Sequence, residues 1–168
     1  MNIRITRGAG RDRIEASLAS GARIAFETPC KGPIPHDAVH LFVETRFGIC
    51  RGFWGLVGEG MTPDRIQDLA RAGGHPSASR ASTPDLALHP ILQAERLVEV
   101  FEADLWSGGE GAEADLLALA EVACASSHVA LPPVPEGAVS AVREDLRVFA
   151  ETWTALPRGD AITLEWKG

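Results

Sequence analysis

His36, Asp37 and His40 lie in one short stretch, Pro35-His36-Asp37-Ala38-Val39-His40, with Glu44 one helical turn further on. On an α-helix, residues four apart stand one above the other on the same face. His36 and His40 can therefore present both imidazoles to one metal ion, the spacing used by the His-Glu-x-x-His helix of zinc peptidases. The acid between the histidines is here Asp37, one methylene shorter than that glutamate and on another side of the helix. Peptidase chemistry does not carry over. Glu44 continues the histidine stripe, yet eight residues of helix rise roughly 12 Å, so His36 and Glu44 cannot share an ion. His36 with His40 can, and so can His40 with Glu44. A third ligand has to come from elsewhere, and His89, Glu95, Asp104 and Cys30 are the candidates. The cofactor expected of such a set is Zn²⁺ or another divalent metal. Without metal, His36, Asp37, His40 and Glu44 suit acid–base catalysis, with His40 carrying the proton and Asp37 or Glu44 orienting it.

A plainer reading accounts for the same residues. A histidine at the border of an apolar helix face hydrogen-bonds and seals the core edge. Asp37 then serves the positive helix start, and Glu44 and Arg46 face solvent.

Other motifs carry less. Cys30 precedes the helix, where a thiol can become more acidic and His36 could act as its base. Arg51-Gly52-Phe53-Trp54-Gly55 sets two large aromatics between glycines, which makes either a pocket wall or a tight packing corner. The His36-Asp37 doublet also occurs in phosphohydrolases, but those need an upstream histidine on a helix. No histidine precedes position 36. There is no phosphate loop, dinucleotide fingerprint or Gly-x-Ser-x-Gly elbow.

The elements that must position these residues follow from periodicity. Ile3 and Ile5, then Ile14, Ala16 and Leu18, then Ile24 and Phe26 alternate with polar residues, as do Ile162, Leu164 and Trp166 at the far end. Strict alternation predicts antiparallel strands with one packed and one wet face. Gly8-Ala9-Gly10 and Ser20-Gly21 supply turns, giving a three-stranded meander that the last strand joins at one edge. Between them the pattern is helical: from Pro35 to about Phe47, a short piece around Phe53-Trp54, and a helix opened by Thr62-Pro63-Asp64 with a capping hydroxyl. Residues 74–88 read as a surface loop. Further helices carry Ile91, Ala94, Val98, Phe101 and Leu105, then residues 112–127, then Val139, Val142, Leu146, Phe149 and Trp153. The 112–127 helix, apolar on most sides, is expected to be the most buried. The sum is an α+β fold: a small antiparallel sheet with five to six helices packed on one face, as one domain over 1–168.

At 168 residues and 45% apolar composition the chain can bury a core without staples. A net charge of −7 argues against nucleic acid or an anionic membrane surface as partner. No stretch is apolar enough to act as a signal peptide or membrane span. Three widely spaced cysteines point to reduced thiols and a cytoplasmic, soluble protein.

Pro35-His36-Asp37-x-x-His40-x-x-Val43-Glu44 followed by Gly52-Phe53-Trp54-Gly55 resembles a signature of a family of small uncharacterised bacterial proteins. The ending, Leu156-Pro157, a glycine turn and Leu164-x-Trp166, resembles theirs too, and the matches fall in the same order. The resemblance implies a shared fold and brings no activity, because that family has no established function.

Two functional expectations stand side by side. One is a small metal-dependent hydrolase, or a related enzyme, built on the His36/His40 helix. The other is a non-catalytic module that binds a protein or small ligand, or forms a homodimer through a sheet edge, with structural histidines.

Overall fold

The computed structural model describes residues 1–73 and 83–168. The sheet is built from β1 (Asn2–Thr6), β2 (Arg11–Ser17), β3 (Arg23–Pro29) and β4 (Ala161–Glu165). Their order is β3-β2-β1-β4, every neighbouring pair antiparallel. Register follows the hydrophobic alternation. Ile5 sits opposite Ile14 on one side and Ile162 on the other, and Ile14 in turn opposes Phe26. Ile3, Ile5, Ile14 and Ala16 are fully buried while the residues between them face outward. A slip by one residue would turn this whole row to the wet side, so the pattern fixes the pairing. The tight β1–β2 turn demands glycine at position 8, where a Cβ would lie 1.6 Å from the Arg11 carbonyl oxygen. The buried Asp12 carboxylate accepts the Gly8 N–H at 2.9 Å and closes that turn.

The helices are α1 (His36–Phe47), α2 (Phe53–Gly58), α3 (Pro63–Ala72), α4 (His89–Trp106), α5 (Glu113–Ser126) and α6 (Ala138–Ala155). α1 packs against both α4 and α6, and α5 packs on α4. Its apolar stripe of Val39, Val43 and Phe47 is buried, with Phe47 edge-on to Phe101 of α4 and Phe42 edge-on to Phe149 of α6. Ion pairs join the helices further: Arg46 of α1 holds Asp145 of α6 with two bonds of 2.7 and 3.0 Å, and Arg143 of α6 holds Asp104 of α4 with two of 2.8 Å. Arg7 reaches from the end of β1 to the carbonyls of Trp153, Thr154 and Leu156, capping the C-terminal end of α6 with a cation.

Several expectations need correction. α5 buries only Leu116, Ala120 and Cys124, while Leu119 and Val122 are 63% and 68% exposed. Among the described residues it packs mainly on α4, and one helical neighbour covers one narrow stripe. Thr62 stands at the start of α3 but its hydroxyl makes no capping bond. Pro35 is the residue before the first turn of α1 rather than within it. Of the stretch read as a surface loop, 74–82 lie outside the described residues, and Leu86–Leu88 form a short 3-10 turn leading into α4.

Candidate metal centre

α1 carries His36, His40 and Glu44 along one stripe, as their spacing requires. Glu44 is fully buried, and burial of a carboxylate on a helix needs donors to replace water. The start of α2 supplies them. The Phe53 N–H donates to Glu44 Oε1 at 2.8 Å and the Trp54 N–H to Oε2 at 3.0 Å. Two free amides at a helix N-terminus form a ready anion cradle. Gly52 is what lets the carboxylate in, because a Cβ there would stand 2.4 Å from Glu44 Cδ. The corner is locked from the other side by Trp54, whose indole Nε1–H donates to the Asp37 carbonyl at 2.8 Å.

The third donor to Glu44 is the His40 ring, through Nδ1 at 3.0 Å from Oε1. A carboxylate acceptor assigns the proton to Nδ1, so Nε2 is the atom turned outward. His36 has the same arrangement one turn earlier, with Nδ1 at 2.9 Å from Oε1 of Glu102 on α4. The two Nε2 atoms therefore face each other, 3.2 Å apart, across rings set nearly perpendicular at 78°. Glu95, also on α4, places Oε2 3.6 Å from His40 Nε2. His36, His40 and Glu95 each offer one ligand atom, and these atoms lie within 4.8 Å of one another.

This donor set fits a divalent cation. Two nitrogens bound to a tetrahedral Zn²⁺ at roughly 2.0–2.1 Å stand about 3.3 Å apart. A ligating histidine commonly gives its other N–H to a carboxylate, which fixes the tautomer and makes the free nitrogen more basic. Both histidines have that partner here. Two bare lone pairs at 3.2 Å repel, and either a proton or a cation between them removes the repulsion. In the absence of a cation the proton is favoured at His40. Burial opposes the imidazolium, but the charge of Glu95 and the hydrogen bonds that His40 donates to Glu44 and Glu95 outweigh it and push His40 up to about 10.

The site opens on a cleft of about 720 Å³ whose walls include Phe26 and Thr28 of β3, Phe53 of α2 and Trp106 at the end of α4. The His36 side chain is 42% exposed towards solvent whereas His40 is at 2%, so the cluster meets solvent on the His36 side. Asp37 lines the same cleft and is itself buried. Its Oδ2 has no hydrogen-bond partner among the described residues. Burial raises its carboxyl above the usual range, against the pull of the neighbouring His36 and His40.

The sequence-derived candidates thus separate. His36 and His40 come together, and Glu95 is the third group. Glu44 does not face solvent; it is the buried partner of His40. Asp37 lines the cleft but is not one of the three grouped atoms. Asp104 is committed to Arg143, and His89 begins α4 away from the grouped ligand atoms. Cys30 is exposed, and burial of its sulfur together with Asp12 raises rather than lowers its thiol, so no activated nucleophile forms there. Glu102 was not among the candidates. Its signal was available, since Glu95 and Glu102 are seven apart and share a face of α4.

No family model matches the chain, and neither a curated protein nor a solved structure is significantly similar to it.

Proposed function

We propose that His36, His40 and Glu95 bind one divalent cation, with Zn²⁺ as first choice, and that the protein is a small metal-dependent hydrolase. The observation that carries the reading is the pair of Nε2 atoms 3.2 Å apart, each ring anchored by a carboxylate on its far nitrogen. Two histidines and a glutamate form a ligand set of the kind that leaves a fourth position for water, as catalytic zinc sites do and closed structural sites do not. A cation there would acidify its bound water to near neutral pH and polarise a substrate carbonyl. Glu44 and Glu102 orient the two rings, and the cleft beside them offers room for a small substrate. Three free thiols accord with a reducing compartment such as the cytoplasm.

The test is turnover. Zn²⁺-loaded protein offered a panel of amide and ester substrates should hydrolyse at least one class, lose that activity to a chelator, and regain it with Zn²⁺. The Glu95→Ala variant should stay inactive throughout. A fully loaded protein that turns over none of them contradicts the hydrolase reading.

The outer edges of β3 and β4 and the exposed Leu119 and Val122 favour a second reading, a non-catalytic module that self-associates. That reading requires a mass that rises with concentration in sedimentation.

A further inference from the structure

The cation site leaves Asp37 without a task. Its side chain is buried and borders the same cleft as His36, His40 and Glu95, yet Oδ2 has no hydrogen-bond partner among the described residues. Serving the start of α1 does not require burial, because a carboxylate in water complements a helix N-terminus as well. A buried acceptor left empty is unfavourable, and such groups call for an explanation in a bound water, ion or ligand. Asp37 is also held in place. The Trp54 indole fixes its carbonyl at 2.8 Å. Its oxygens are not among the ligand atoms that lie within 4.8 Å of one another, so it does not complete the inner set.

We propose that Asp37 Oδ2 is an outer-sphere acceptor, taking a hydrogen bond from whatever atom fills the cation's open position. The inference rests on the cation site proposed above and adds a selectivity to it. Water, a hydroxamic acid or another ligand with a proton donor at its metal-binding atoms is retained. Ligands that present only lone pairs gain nothing from Asp37. In a hydrolytic cycle the same contact would aim the water's remaining lone pair at the substrate.

The experiment uses the full chain loaded with Co²⁺, whose visible bands report ligands at the open position. Wild type, Asp37→Ala and Asp37→Asn are each titrated with acetohydroxamic acid, which carries a donor, and with thiocyanate, which does not. Loss of an outer-shell partner typically weakens binding about 10–100-fold, and that is the loss expected for hydroxamate in Asp37→Ala, with thiocyanate changed less than about threefold. Asp37→Asn, which keeps an acceptor oxygen but not the charge, should fall between. Metal-free Asp37→Ala should melt no lower than wild type, because the substitution removes an empty buried acceptor. Equal changes for both ligands, or none for either, overturn the role of Asp37 while Co²⁺ uptake leaves the metal site standing. A melting temperature several degrees below wild type with ligand preference intact assigns Asp37 to the fold. Wild type that takes up no Co²⁺ overturns both readings.

Discussion

The Nε2 atoms of His36 and His40 face each other at 3.2 Å, while Glu102 and Glu44 hold the two Nδ1 atoms at 2.9 and 3.0 Å. The spacing of the pair comes from the helix, but its orientation comes from the two glutamates. Without them each ring could rotate and offer either nitrogen. The account therefore stands on the carboxylates as much as on the histidines.

Glu44 should be indispensable to the fold as well as to the site. Glu44→Ala leaves the Phe53 N–H, the Trp54 N–H and His40 Nδ1–H without their acceptor. At about 1–3 kcal/mol for each buried unsatisfied group, the loss should reach at least about 3 kcal/mol in urea unfolding. Gly52→Ala should act through the same carboxylate, since its Cβ would meet Glu44. A Gly52→Ala protein as stable as wild type would show that the cradle is not tight.

Glu102 separates orientation from stability. Its side chain is partly exposed, so Glu102→Gln should change the urea midpoint little. Glu102→Ala, which removes the acceptor altogether, should weaken Zn²⁺ binding about 10–100-fold, the usual effect of removing an outer-shell partner of a ligating histidine. Competition with a chromogenic chelator measures it. Unchanged affinity would mean that His36 needs no anchor.

The metal-free protein should lose stability as pH rises. His40 is raised from 6.5 to about 10 in the folded chain. The folded state then binds more protons than the unfolded one between those values. Its stabilisation is complete below pH 6.5 and disappears as pH climbs towards 10. Thermal melts of chelator-treated protein should show the midpoint falling across this window, and His40→Ala should flatten the slope. A melting temperature independent of pH there would contradict the buried charged cluster.

The thiols should divide by burial. Cys30 and Cys50 are exposed, whereas Cys124 is fully buried on α5 and its thiol is pushed up to about 11 by burial. An aromatic disulfide reagent at pH 8 should titrate Cys30 and Cys50 in the native protein and Cys124 only after unfolding. Rapid native reaction of Cys124 would place α5 differently.

What could be read in advance depended on whether the deciding interaction was local. Ile3, Ile5, Ile14 and Ala16 declare their strands because a period of two is written into neighbouring residues. α1 was legible from Val39, Val43 and Phe47, and the histidine pair from its spacing of four. α5 was misjudged because Leu119 and Val122 are apolar without facing anything, and composition does not say how many neighbours a helix has. Glu44 was legible as a group that could orient His40, but its burial was not, for a different reason. Its partners are backbone amides of Phe53 and Trp54, and amides leave no trace in the residue types. The glycine at position 52 was the only local hint. Glu95 could be named but not chosen over Asp104 or His89, because its place beside His40 depends on how α4 crosses α1.

The most direct measurement of the central claim is Zn²⁺ content by plasma mass spectrometry on tag-free protein, incubated with Zn²⁺ and desalted, with wild type beside His40→Ala and Glu95→Ala. The three grouped ligands predict close to one Zn²⁺ per wild-type chain and a large loss in both variants. Wild type that retains no Zn²⁺, or variants that retain as much as wild type, would contradict the metal centre and return His36 and His40 to a purely structural role.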